Sequence, residues 1–87
     1  MEINYKQQEL IEELFNTVKS KFPEIEFVGL GENPDYKDHI LIKVVADMDD
    51  ERRNDMREYA IDRAIEILDN YGYLFSVMQS NKTSRAA

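Results

Sequence analysis

The chain has 87 residues, 43% of them hydrophobic, with 18 acidic side chains against 11 basic ones and a net charge of −7. This length accommodates one small domain with a single hydrophobic core. The negative charge repels phosphate backbones and anionic lipid, so we expect neither a nucleic acid nor a membrane as partner. The absence of cysteine excludes disulfide scaffolds, thiolate zinc sites and thiol nucleophiles.

The cellular location of the protein is predicted from its first residues and from the length of its apolar runs. The first residues, MEINYKQQEL, lack the basic start and apolar centre of a signal peptide. The longest apolar runs are far shorter than the ~20 residues that a bilayer requires. We therefore expect a cytoplasmic protein.

The first half of the chain predicts a helix followed by a hairpin. Six apolar residues recur at three-to-four spacing: Leu10, Ile11, Leu14, Phe15, Val18 and Phe22. This spacing predicts an amphipathic helix over 5–22, with Asn4 as its N-cap, Gln7 as the capping-box partner and Pro23 as its stop. Residues 24–30 and 39–48 are predicted strands, and the turn-forming loop between them predicts an antiparallel pair.

The second half predicts a helix over 49–70 and a third strand over 73–79, with Asn70 and Gly72 ending the helix. Its main apolar stripe consists of Met56, Ala60, Ala64, Ile67 and Tyr71, and three further apolar residues widen it: Ile61, Ile65 and Leu68. The strand–helix–strand unit should place its two strands in parallel.

These elements predict a two-layer α/β (α+β) fold in the order α-β-β-α-β. We expect a three-stranded mixed sheet with the second strand in the middle and two helices on one face. Residues 1–80 form the single domain, and residues 81–87 are expected to be a frayed tail.

The alternation of side chains predicts an exposed apolar surface on the sheet. The even residues from Ile40 to Ala46 are all apolar and should face the helices, whereas the third strand is apolar on both sides. We therefore expect an interface on the open face, formed by Leu41, Val45, Phe75 and Val77. The expected partner is a second copy in a homodimer, or another protein. The alternative is that the first helix or the tail covers this face.

An acidic cluster follows the second strand. Five acids have the ligand spacing of an EF-hand: Asp47, Asp49, Glu51, Asp55 and Glu58. The calcium interpretation fails because Arg52 occupies the position where the loop requires glycine, and because the helical pattern has already begun.

Helix capping explains the same cluster more simply. Asp47 or Asp49 would cap the second helix, and Asp50 and Glu51 in its first turn would complement the helix dipole. A weak divalent-cation site formed by Asp38, Asp47 and Asp49 remains the alternative. We expect no other cofactor.

Residues 8–79 resemble the minimal nucleotidyltransferase family in the order of their elements. The segment Phe27-Val28-Gly29-Leu30 is similar to the family's first strand, which ends in Gly-Ser, but leucine replaces the serine. The segment starting at Asp38 is similar to the strand that opens with Asp-x-Asp, with Ile40 at the second aspartate. The third strand, YLFSVMQ, contains no acid, and its nearest polar residue is Ser76.

The resemblance implies a catalytic site that has been lost. In that family, carboxylates hold two metal ions that stabilise the attacking and leaving oxygens. Asp38 alone remains here, so the resemblance implies a degenerate, non-catalytic relative. It also implies an alternative function, in which Asp38, Gly29, Gly31 and Asp47 form a remnant site for a nucleotide or a divalent metal.

No other pattern predicts catalysis. His39 is the only histidine, and a serine triad would require one of four serines beside it, namely Ser20, Ser76, Ser80 or Ser84. We expect His39 to be structural and the protein not to be an enzyme. The predicted function is a small acidic protein-interaction or assembly module that self-associates through its open sheet face or an edge strand.

Overall fold

The structure is a computed structural model that describes residues 2–82. Two helices and three strands follow one another in the order α1, β1, β2, α2, β3. Their bounds are Tyr5–Lys21 for α1, Glu26–Glu32 for β1, His39–Val45 for β2, Asp50–Tyr71 for α2 and Leu74–Ser80 for β3. The predicted α-β-β-α-β order is confirmed.

The three strands form one mixed sheet in the order β1-β2-β3. β1 pairs with β2 antiparallel, and β2 pairs with β3 in parallel. The predictions of a hairpin and of a central second strand are thus confirmed. The β1–β2 register shifts between Phe27 and Gly29, so Val28 lies at a bulge in the outer strand.

Side-chain and backbone caps fix the ends of both helices as the sequence predicted. At α1, the Asn4 side chain accepts the N–H of Gln7, and the Gln7 side chain accepts the N–H of Asn4 in return. At α2, the Asp49 carboxylate accepts the N–H of Arg52. Gly72 ends α2 in the left-handed region (φ 78°), which glycine adopts without a steric cost.

The core lies between the sheet and the two helices, which share one face of it. Ile40, Ile42 and Val44 of β2 are almost fully buried against residues of both helices. The residues that α2 buries include Ala60 and Ala64, whose small side chains allow the helix to lie close to β3. The predicted two-layer architecture follows from this single core.

The first two residues of the predicted tail, Asn81 and Lys82, form hydrogen bonds with the segment that follows β2. The Asn81 side chain accepts the N–H of Met48, and the N–H of Lys82 is donated to the carboxylate of Asp47. The Lys82 ammonium also forms an ion pair with Glu26 at the start of β1. Residues 83–87 lie outside the described residues.

Candidate functional site

The three aspartates predicted to share a metal ion lie at two different ends of the sheet. Asp38 sits in the hairpin just before β2, with a positive φ of 70°. Asp47 and Asp49 follow the other end of β2. Seven extended residues separate the two ends, so Asp38 is roughly 20 Å or more from Asp47. The predicted site at Asp38, Asp47 and Asp49 is therefore wrong, and residues 2–82 contain no group of three potential ligands that could hold a metal.

Asp47 and Asp49 each bind a backbone amide. The Asp47 carboxylate accepts the N–H of Lys82 at 2.8 Å, and the Asp49 carboxylate accepts the N–H of Arg52 at 2.8 Å. Asp49, not Asp47, is the residue that caps α2. The acidic cluster thus stabilises the start of α2 and the end of β3.

The remnant nucleotide site requires Gly29, Asp38 and Asp47 to meet in one cleft, and they do not. Gly29 lies within β1 opposite Lys43, between the two ends of β2 that hold the aspartates. Gly31 also faces a side chain, because an added Cβ there would lie 2.8 Å from Cε of Lys43. The geometry therefore lacks the cradle that the resemblance implies.

The arginines at the start of α2 bind protein groups. Arg52 donates to both carboxylate oxygens of Glu24, at 2.8 and 3.0 Å. These bonds from the Arg52 guanidinium lower the pKa of Glu24 to about 2. Arg53 donates to the side chains of Asp50 and Gln79, so it connects α2 to the end of β3.

His39 and Ser76 are brought together on the open face of the sheet, 2.7 Å apart at Nε2 and Oγ. The orientation of the histidine is fixed by Asn33. The Asn33 side-chain oxygen accepts the N–H of Asp35 at 2.8 Å, which leaves its Nδ2 facing Nδ1 of His39 at 3.1 Å. An amide nitrogen only donates, so Nδ1 accepts and Nε2 carries the proton that is donated to Ser76.

This arrangement is the reverse of what a serine nucleophile requires. A general base must present an unprotonated nitrogen to the hydroxyl. Here the hydroxyl of Ser76 is the acceptor. These hydrogen bonds instead connect the hairpin loop, through His39, to the neighbouring strand β3.

The exposure predicted for the interface residues is wrong for Phe75 and Val45, which are buried, and the predicted face is wrong for both residues of β3. Phe75 is 1% exposed and lies in the core, with Val77 packed against it. Val45 is 7% exposed, and Leu41 is half-buried on the open face. Phe75 is the register partner of Ile40 and shares its helix-facing side. The residues that β3 places on the open face are Leu74, Ser76 and Met78.

An exposed apolar surface does exist, but at the edge of the sheet. On α2, Ile61 is 48% exposed, Ile65 is 49% exposed, and Leu68 is also exposed. On β3, Leu74 and Met78 are exposed. Between the helix and the strand runs an open groove of about 580 Å³. We call this region the β3–α2 surface; it consists of these five side chains and the outer backbone edge of β3.

The outer backbone edge of β3 belongs to alternate residues. The C=O of Ser80 accepts the N–H of Ala46, so Ser80 directs its backbone groups toward the β2 side. Residues alternate in a strand, which means that Phe75, Val77 and Gln79 direct their N–H and C=O groups away from β2. Within residues 2–82, no strand pairs with this edge.

The sequence contained a signal for this surface that the strand analysis missed. Ile61, Ile65 and Leu68 make the apolar stripe of α2 wider than a helix in a two-layer fold can bury. A stripe of this width predicts a second contact besides the core.

The comparisons with known proteins assign no family. No protein-family model, curated protein or solved structure matches the chain. Neither helix within residues 2–82 has an apolar stretch long enough to cross a bilayer.

Proposed function

We propose that the protein is a protein-interaction module that binds an extended segment of a partner at the β3–α2 surface. The observation that carries this proposal is that β3 is an edge strand without a charged residue, proline or glycine, next to an exposed apolar helix stripe. An added strand would satisfy the outer backbone groups of β3 and cover the side chains of Ile61 and Leu68.

The composition of β3 supports this proposal. Edge strands in monomeric proteins carry devices that prevent pairing, such as charges, bulges or proline. β3 has none of them. Contiguous apolar patches of this kind mark binding sites, whereas single exposed apolar residues are ordinary.

The charge of the groove restricts the segment that fits. Arg53 and Arg57 line the groove at the N-terminal half of α2, while its other end is apolar, at Leu68 and Leu74. The favoured segment is therefore extended and has apolar side chains that pack under α2, and the partner has negative charge next to the segment, where it meets Arg57. The backbone of the segment would supply the affinity, and its side chains the specificity.

A peptide selection tests this function. The protein would be immobilised sparsely, and a displayed library of random peptides would be selected against it. We expect enriched peptides with alternating apolar residues that lose binding to Ile61→Asp and keep binding to Val28→Asp, the matched exposed position on β1. Failure to enrich peptides, or equal binding to both variants, would contradict the proposal. Circular dichroism would verify that both variants are folded.

The resemblance to the minimal nucleotidyltransferases stays a prediction, as does the cytoplasmic location. No observation at the hairpin favours nucleotide binding, because Asp38, Gly29 and Asp47 do not converge. The interaction function does not depend on that ancestry.

A further inference from the structure

We infer that the segment bound at the β3–α2 surface is β3 of a second copy of this chain, in a symmetric dimer with a continuous six-stranded sheet. This inference rests on the proposed function and names its partner. Three features of the surface support a second copy: the backbone edge, the spacing on α2 and the distribution of charge. A two-fold axis requires each of them to be complementary to itself.

The backbone edge is self-complementary when two β3 strands pair antiparallel about Val77. Val77 then faces Val77 of the second copy, and Phe75 faces Gln79 of the second copy. All three residues direct their N–H and C=O groups outward, as deduced from the bond between Ser80 and Ala46. Facing residues of this type exchange two hydrogen bonds per pair. The same register places Ser76 opposite Met78, with no charged side chain between the strands.

The exposed side of α2 has the spacing of a helix–helix contact. Four of its exposed residues follow one another at intervals of four, four and three: Arg57, Ile61, Ile65 and Leu68. Intervals of three and four residues keep one side of a helix against a partner helix. Because β3 pairs antiparallel about the same axis, the two α2 helices also run antiparallel. With Ile65 near the axis, Ile61 of each copy meets Leu68 of the other.

The charges along α2 fit an antiparallel arrangement. Its last turn contains no basic residue, although the helix dipole places negative charge there. Asp69 adds a carboxylate at the same end. Arg57 lies toward the other end of the stripe, so an antiparallel partner brings each Arg57 to the C-terminal turn of the opposite helix. The net charge of −7 opposes association in general, but β3 itself carries no acid at the axis.

Sedimentation equilibrium of the whole chain tests the inference. We expect a mass of twice 10.3 kDa at high concentration that falls toward one chain on dilution. Ile61→Asp should raise the dissociation constant of the dimer about tenfold or more, because it buries a charge in the contact between the two α2 helices. Val28→Asp, on the opposite edge, should leave the dissociation constant unchanged. Arg57→Glu should raise the dissociation constant of the dimer, because it replaces an attraction with a repulsion. Added salt should partly reverse this effect, since it screens the repulsion.

Val77→Pro provides a second variant that acts on the backbone. The N–H of Val77 points outward, so proline there removes a bond to the second copy and none to β2. We expect a folded monomer. If Val77→Pro does not fold, Ile61→Asp and Arg57→Glu still decide the result.

The outcomes separate this inference from the proposed function. A chain that stays monomeric at every concentration, yet binds selected peptides at the β3–α2 surface, overturns the second copy and keeps the interaction function. A dimer that Ile61→Asp and Arg57→Glu leave intact uses another surface and overturns the inference. A monomer that binds no peptide overturns both.

Discussion

β1 and β3 form the two edges of one sheet, and they differ in three features that control strand pairing: charge, glycine content and regularity. β1 begins and ends with a glutamate, contains two glycines and has a bulge at Val28. β3 reads LFSVMQS, is regular and contains neither charge nor glycine. Charges and bulges oppose the addition of a strand, so the protein guards one edge and leaves the other open.

The helices next to the two edges differ in the same sense. Beside β1, the exposed ring of Phe27 already packs edge-to-face on Phe15 of α1, with centroids 5.8 Å apart. Beside β3, the exposed Ile61 and Ile65 of α2 are available for a further contact. Exposed apolar area alone therefore does not distinguish the two edges, whereas the charges, glycines and bulge of the edge strand do.

The largest expected effect concerns one phenylalanine in each edge strand, buried in β3 and exposed in β1. Phe75→Ala in β3 should lower the free energy of unfolding by roughly 3–5 kcal/mol, because the ring is 1% exposed and leaves a cavity. Phe27→Ala in β1 should cost only about 1 kcal/mol, mainly the aromatic pair with Phe15. Urea denaturation at equal protein concentration measures both. Equal losses would show that the two edges are anchored alike.

Adding a charge to each edge tests the comparison itself. Met78→Lys places a lysine on the open edge, the device by which natural edge strands avoid pairing, and should raise the dissociation constant of self-association about tenfold or more. Val28→Lys adds the same charge at the guarded edge and should change nothing. Sedimentation velocity across a dilution series makes the measurement. Similar effects from both variants would refute the distinction between the edges.

Removal of the cap of α2 separates stability from association. Asp49→Ala should cost about 1 kcal/mol of stability, since the N–H of Arg52 loses its acceptor. Association should be unaffected, because the β3–α2 surface lies away from the cap. Thermal melting measures the loss of stability. Millimolar Mg²⁺ should raise the melting temperature of neither the wild type nor Asp49→Ala. A Mg²⁺-dependent rise in the wild type alone would restore the carboxylates as ligands.

The smallest effect concerns the ion pair that precedes the guarded edge. Glu24 has a folded-state pKa lowered to about 2 by Arg52, so its stabilisation is present above the unfolded pKa and is lost as the pH falls through the folded one. Glu24→Gln should therefore cost well under 1 kcal/mol at neutral pH, since the pair is largely solvent-exposed. The difference from wild type should shrink between about pH 4.5 and pH 2.

Urea denaturation of both proteins at several pH values would reveal this dependence. A Glu24→Gln difference that stays constant down to pH 2 would show that the carboxylate charge contributes nothing.

The sequence predicted the fold well because each element carried its own local signal. Asn4 with Gln7 marked the start of α1, and Gly72 marked the end of α2. The alternation of β2 was unambiguous, since Ile40, Ile42 and their even-numbered neighbours are all buried. These features depend on residues close together in the chain.

The candidate site was less predictable because it depends on register and on the side of each helix. Both sides of β3 are apolar, so periodicity could not decide whether Phe75 or Leu74 faces the helices; its pairing with Ile40 decides it. The contact of His39 with Ser76 spans 37 residues and likewise follows from register. The aspartates looked close in the chain, but an extended strand separates Asp38 from Asp47.

Hydrogen exchange at the two sheet edges tests the central claim most directly. Amide exchange would be followed by NMR in dilute and concentrated solutions of the wild type and of Ile61→Asp. We predict that the outward amides of Phe75, Val77 and Gln79 become more protected as concentration rises, only in the wild type, while those of β1 do not change. Protection of β3 that is independent of concentration and unaffected by Ile61→Asp, or that rises equally in β1, would contradict the account.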